Sequence, residues 1–100
     1  MNTNNFNEEY QLILERYKNI LMTEMIKSGW YAILEIKPLE GDETNDIHLL
    51  WMLHELTNNT EQSETKKHRW LGYVQGVMIA KKYMTVLQER ELTRNILNGA

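Results

Sequence analysis

The side chains best suited to hold a ligand lie together in one basic and aromatic stretch in the last third of the chain. Lys66, Lys67 and Arg69 supply positive charge, and Tyr73 and Gln75 follow closely. Arginine presents a planar fork of donors that matches two phosphate oxygens, and a tyrosine ring can stack on a base. If a helix begins just before Lys66, its free amides also favour an anion. The stretch indicates a site for a small anionic ligand, unless these cations form a solvated face that pairs with acidic neighbours.

Two glycines interrupt the same stretch. Gly72 and Gly76 stand in a segment that otherwise favours helix, where each costs about 1 kcal/mol relative to alanine. With Ala80 they recur every four residues and share one helix face. Such a ridge lets another backbone come closer than larger side chains allow. We expect it to pack against a crossing helix, of this chain or of a second copy, with a ligand floor as the alternative. Trp70, beside the ridge, is expected to serve helix packing.

Patterns typical of catalytic or metal sites are missing from the sequence. The lack of cysteine excludes disulfides, thiolate metal sites and a cysteine nucleophile. His54-Glu55 begins like a zinc-protease motif, but position 58 is Asn, so the second histidine is missing. His48, His54 and His68 are not spaced to form a metal face. We therefore predict a protein that is not an enzyme and that uses no metal and no cofactor.

Hydrophobic periodicity predicts an all-α protein. A first helix runs from Phe6 to a stop at Ser28-Gly29, after a frayed tail at residues 1–5. Residues 30–37 combine strand-like composition with a continued helical stripe, so we favour helix or irregular structure there, with an edge strand as the alternative. Pro38 ends this segment.

Three further helices have recognisable starts. Asp46 can cap the second, Ser63 the third, which runs to about Lys81 or Lys82, and Thr85 the fourth, which ends near Leu97. The sequence thus predicts a small helical bundle of three long helices plus one short C-terminal helix, in one domain over residues 1–100.

Residues 69–77 carry a resemblance to a known group of proteins. The run Arg-Trp-Leu-Gly-Tyr-Val-Gln-Gly-Val resembles a motif of small uncharacterised proteins of tailed bacteriophages, in which arginine–tryptophan–leucine–glycine leads to an aromatic residue and then glutamine–glycine–valine. A short turn and an acid-containing helix follow there, similar to Thr85–Arg94 here, and the resemblance covers about residues 47–95. It implies a phage origin, a place in the host cytoplasm and, by analogy with other small phage proteins, action against a host defence; it implies no particular biochemical activity.

Charge is distributed unevenly along the chain. Residues 1–64 hold 4 Lys/Arg and 12 Asp/Glu, a balance of −8, whereas residues 65–100 hold 7 and 2, a balance of +5. The acidic majority would repel phosphates, so duplex nucleic acid is not an expected partner. No apolar run approaches the roughly 20 residues of a membrane span, and the polar start does not look like a signal peptide. We expect a soluble cytoplasmic protein that does not bind membranes.

The sequence is compatible with two binding functions. The first is sequestration of a small anionic, nucleotide-like signal. Because a domain of 100 residues has little room for a deep pocket, that ligand would lie between the subunits of a homo-oligomer. The second is a protein–protein inhibitor or adaptor that acts on a host protein through the acidic N-terminal half and its methionine-rich stripe.

Overall fold

The computed structural model describes residues 2–29, 35–59 and 61–97. In these ranges the regular elements are four α-helices, without any strand: α1 (Asn2–Lys27), α2 (Asp46–Asn58), α3 (Glu64–Ala80) and α4 (Val86–Leu97). The prediction of an all-α protein is confirmed for this part of the chain. With 13 and 12 residues, α2 and α4 are nearly equal in length.

Each helix packs against two others, and α4 returns to α1 to close the ring. Met25, near the end of α1, lines a cavity together with Asp46 at the start of α2. Lys18 Nζ, further back on α1, donates to Thr57 Oγ1 near the end of α2 at 3.2 Å. These contacts make α1 and α2 antiparallel. Asp46 also pairs with Lys81, directly after α3, so α2 and α3 are antiparallel as well.

The core follows from the helical spacing of apolar residues. Positions three and four apart lie on one helix face, and that face is the buried one on α1, α2 and α3. A fully buried leucine contributes roughly 1.5–3 kcal/mol relative to an exposed one, so the leucines alone account for much of the stability. The buried apolar side chains are Tyr10, Ile13, Leu14, Tyr17, Leu21, Leu49, Leu50, Met52, Leu53, Leu56, Leu71, Val74, Met78 and Met84.

Side-chain caps mark the starts of α3 and α4. Ser63 Oγ accepts a hydrogen bond from Lys66 N at 3.1 Å, and Thr85 Oγ1 accepts one from Gln88 N at 3.3 Å. Each satisfies an amide that the helix itself cannot bond. Both caps were predicted from the sequence, and the Ser63 cap sets the residue at which the basic stretch becomes helical.

The cap of α2 differs from the prediction by one residue. Asn45 Oδ1 accepts from Ile47 N at 2.9 Å and is the cap, while Asp46 is the first residue of the helix. The Asp46 carboxylate is instead bound by Lys81 Nζ at 2.6 Å and by Tyr83 Oη at 2.8 Å. The Asp46 side chain therefore binds Lys81 and Tyr83, which are distant in sequence, instead of capping its own helix.

The ends of α1 also depart from the sequence-based expectations. The helix begins at Asn2, so residues 2–5, predicted as a frayed tail, are helical here. They contain no glycine or proline that would stop a helix. Of the ambiguous segment 30–37, residues 30–34 lie outside the described ranges, and residues 35–37 form neither helix nor strand.

One carboxylate lies in the apolar interior and joins three helices. Glu89 on α4 is only 1% exposed. Its Oε1 accepts from Arg16 Nη1 at 2.7 Å and from Tyr17 Oη at 2.8 Å, both on α1. Gln75 Nε2 on α3 donates to the same tyrosine oxygen at 3.0 Å. A buried charge costs several kcal/mol unless it is paired and hydrogen-bonded, so these contacts make the burial of Glu89 tolerable.

Tyr10 presents the opposite case. Its side chain is 6% exposed, and its buried hydroxyl has no hydrogen-bond partner among the described residues. A buried hydroxyl without a partner costs about 1–3 kcal/mol. Tyr10 and Tyr17 are therefore a matched pair of buried tyrosines whose hydroxyls have opposite effects on stability.

We expect Tyr17→Phe to lower the free energy of unfolding by about 2 kcal/mol, because it removes a hydrogen bond to a buried carboxylate. Tyr10→Phe should raise the same quantity by about 1 kcal/mol, because it removes an unsatisfied hydroxyl. Urea unfolding of both variants measures the difference. Equal destabilisation by the two substitutions would contradict the description of this interior.

The same tyrosines predict a loss of stability in alkali. Burial raises the pKa of Tyr10 from 10.0 to about 12, and burial is also the main cause that raises the pKa of Tyr17. In the unfolded chain the pKa of tyrosine is about 10, so the free energy of unfolding is highest below about pH 10 and decreases as the pH rises towards 12. Urea midpoints from pH 8 to 12 should fall less steeply for Tyr10→Phe than for the parent. Identical slopes would refute this.

Candidate functional site

Helix α3 has one side in the core and one side facing away from the other helices. Its inner residues Leu71, Val74 and Met78 are fully buried. The opposite side carries residues at intervals of three and four that are exposed or, for the first glycine, half-buried. We call this side the outer face of α3; it consists of Arg69, Gly72, Tyr73, Gly76 and Ala80.

The glycine ridge is bare in the described chain. A Cβ atom added at Gly72 or Gly76 would meet no heavy atom within 4 Å. No helix of the described ranges therefore crosses the ridge. The two glycines nevertheless weaken the helix by about 1 kcal/mol each, so the fold of a single copy does not explain them.

Arg69 is exposed and makes no ion pair or hydrogen bond with any described residue. Lys66 lies one turn earlier on the same side of α3, with its Nζ 4.9 Å from the centre of the Trp70 ring. The alternative in which Arg69 pairs with an acid of the N-terminal half is thus not seen in the described part of the chain. Its guanidinium can accept an anion without first breaking a bond.

A row of aromatic rings connects α2 to Trp70, which lies on α3 between the buried side and the outer face. His48 and Trp51 lie with ring centres 5.4 Å apart, and Trp51 and Trp70 follow at 5.6 Å, both pairs tilted. Such geometry is favourable for aromatic rings. Lys66 lies at the end of this row, and its ammonium contacts the Trp70 ring, a contact worth about 0.5–1 kcal/mol at an exposed site.

Tyr73 is held by a contact that the sequence did not suggest. Its ring is 39% exposed, and its hydroxyl donates to the backbone carbonyl oxygen of Glu43 at 3.0 Å. Glu43 belongs to the acidic loop between α1 and α2. Its carboxylate accepts from Gly41 N at 2.7 Å, and this bond is the main cause that lowers the pKa of Glu43. The loop therefore brings a lasting negative charge close to the outer face of α3.

The acidic loop, residues 39–45, is fastened at several points. Leu39 N donates to Nδ1 of the buried His48 at 2.9 Å. Lys81 Nζ donates to the carbonyl oxygen of Thr44 and to the carboxylate of Asp46. The carbonyl that receives the Tyr73 hydroxyl is thus part of a fixed loop.

Two of the five predicted ligand-binding residues lie elsewhere. Lys67 is half-buried and, by helix geometry, points about 160° away from Arg69. Gln75 is half-buried and donates to Tyr17 in the interior. The structure groups Arg69, Tyr73 and Lys66 on one side of α3 and separates Lys67 and Gln75 from them.

Two cavities among the described residues lie away from the outer face of α3. One has a volume of about 140 Å³ and is lined by Met25, Asn45, Asp46, Ile47 and Lys81. The other, of about 260 Å³, is lined by Asn19, Ile20, Thr23, Glu24 and Tyr83. Both are smaller than the roughly 300–1,000 Å³ of ordinary ligand pockets. A ligand on the outer face would therefore lie on an open surface of a single copy.

Comparison of the chain with protein-family models, curated proteins and solved structures found no match. None of the helices in the described ranges has both the length and the apolarity needed to cross a membrane. The described residues also include no group of three or more His, Asp or Glu side chains that could hold a metal ion. The candidate site is thus defined by its own geometry alone.

We expect Gly76→Leu to reduce assembly of the protein while helix content is retained. The new side chain meets nothing in its own chain but would separate two backbones packed at the ridge. Light scattering should show a mass above 11.9 kDa for the parent and a lower mass for the variant. Gln88→Leu, at an exposed position on α4, is the control and should assemble like the parent. A parent that is monomeric, or a variant that assembles normally, would exclude the ridge as an interface.

Proposed function

We propose that this chain is a non-enzymatic binding protein of phage type that counters a host defence by sequestering a small anionic, nucleotide-like signal between subunits. The observation that carries the proposal is the exposed guanidinium of Arg69, which has no partner in the described chain and stands beside the bare backbone of Gly72 and Gly76. A charge kept available next to an unobstructed surface suits the capture of an anion.

The chemistry of the three grouped residues fits a phosphate-bearing aromatic ligand. Arg69 offers paired donors and remains charged at any physiological pH. The ring of Tyr73, one turn further along, can stack on a base, an interaction worth about 1–3 kcal/mol. Lys66 adds attraction that weakens with salt. No acid–base pair or nucleophile is needed for this role, in keeping with a protein that binds rather than reacts.

A second copy supplies what one copy lacks. The outer face of α3 is open at Gly72 and Gly76, where an added Cβ atom would meet no described heavy atom within 4 Å. A protein of this size gains buried area most readily by forming an oligomer. Two copies that meet along the glycine ridge would convert the open surface around Arg69 into a cleft.

We expect Arg69→Ala to abolish the rise in melting temperature that a bound nucleotide causes. The melting temperature of the free protein should stay the same. A ligand at 100 times its Kd stabilises the folded state by about 2.7 kcal/mol, and each kcal/mol corresponds to about 4–8 °C for a domain of this size. A thermal-shift panel of nucleotides and cyclic nucleotides measures the rise. Arg90→Ala, which removes an exposed arginine from α4, is the matched control and should keep it.

Two results would contradict the proposal. One is a parent protein that no member of the panel stabilises. The other is an equal rise in melting temperature for Arg69→Ala and the parent, which would move the site away from the outer face of α3.

An inhibitor or adaptor of a host protein is the second candidate, and one observation favours it. Leu12, Met22 and Ile26 on α1 are 69%, 51% and 52% exposed. Methionine and other apolar side chains on an accessible helix suit a protein partner. The same Arg69→Ala variant separates the candidates, because a protein partner of α1 would bind it as tightly as it binds the parent.

A further inference from the structure

Tyr73 is anchored at both ends of its side chain. Its backbone belongs to α3, and its hydroxyl donates to the Glu43 carbonyl oxygen at 3.0 Å. That carbonyl is fixed in turn, because the loop is bound by His48 on one side and by Lys81 on the other. A side chain restrained in this way loses less conformational entropy when a ligand stacks on it.

We infer that Glu43 is a positioning residue which sets the Tyr73 ring for stacking, and that the charge of its loop orients the ligand with the base at Tyr73 and the phosphate at Arg69. The inference rests on the proposed function and names the ligand class more narrowly. The preferred ligand carries an aromatic base at one end and its negative charge at the other.

The charges around the two ends support this orientation. Arg69 and Lys66 lie at the end of the outer face nearer the start of α3. The acidic loop reaches Tyr73 from the other side, and its carboxylates Glu40, Asp42 and Glu43 are on exposed residues. Exposed charges act over a Debye length of about 8–10 Å at physiological salt, which spans adjacent turns of a helix. A phosphate is therefore attracted more strongly at Arg69 than at Tyr73, where the carboxylates of the loop oppose the attraction by the two cations.

The experiment compares adenosine monophosphate with ribose 5-phosphate, which has the same sugar and phosphate but no base. Calorimetry should show that the parent binds adenosine monophosphate more tightly than ribose 5-phosphate. Tyr73→Phe keeps the ring and removes only the hydroxyl that binds the Glu43 carbonyl. It should weaken the binding of adenosine monophosphate about 2- to 10-fold, the range expected for one hydrogen bond. The binding of ribose 5-phosphate should not change.

Glu43→Gln tests the charge separately, because it keeps the backbone carbonyl and removes the carboxylate. We expect it to bind both probes up to about 5-fold more tightly, with a gain that shrinks as salt is added. Two control variants should match the parent. Tyr10→Phe removes a buried hydroxyl from α1, and Glu8→Gln removes an exposed acid from the same helix.

The outcomes separate this inference from the proposed function. If the parent binds nucleotides through Arg69 but binds adenosine monophosphate no more tightly than ribose 5-phosphate, the inference is wrong and the proposed function stands. Tighter nucleotide binding by Tyr73→Phe also overturns it, since the hydroxyl bond would then hold the ring away from the ligand. If no nucleotide binds the parent, the inference and the proposed function are both wrong.

Discussion

The buried carboxylate of Glu89 is the constraint on which the rest of the bundle depends. Its pairing with Arg16 and Tyr17 ties α4 to α1, and Gln75 joins the same tyrosine from α3. Apolar contacts tolerate small rotations of a helix, whereas a buried charge tolerates none that would leave it without partners. Because Gln75 must face Tyr17, the rotation of α3 about its axis is fixed, and the side that carries the two glycines must face outward.

That outward side has features which the fold of one copy does not need. Glycines inside a helix, and an arginine that has no partner among the described residues, neither fill the core nor complete a hydrogen-bond network. Local choices that oppose stability are expected at functional sites, where binding rather than folding explains them. The acidic loop supports the same interpretation, because its Glu43 carbonyl accepts a hydrogen bond that holds the exposed Tyr73 ring in place. The site thus combines a fixed aromatic ring, an available cation and an open backbone on one rigid helix.

Sequence reasoning succeeded where the determining contacts are local. Ser63 and Thr85 cap their helices because the bonded amides lie three residues away, and the four helices follow from periodicity. It failed where long-range contacts decide. A lone acid such as Glu89 in a polar helix resembles a surface residue, and nothing near it in sequence signals Arg16 or Tyr17. Gln75 was assigned to the ligand site for the same reason, since its true partner is far along the chain.

The most direct test of the account is a chemical-shift map of the backbone amides on titration with nucleotides and cyclic nucleotides. Glycine amides are resolved from most others, so Gly72 and Gly76 report on the outer face of α3, and Val74 reports on the core. The account predicts shifts at both glycines and at Arg69, with little change at Val74. Shifts confined to α1, or none at any ligand concentration, would contradict it.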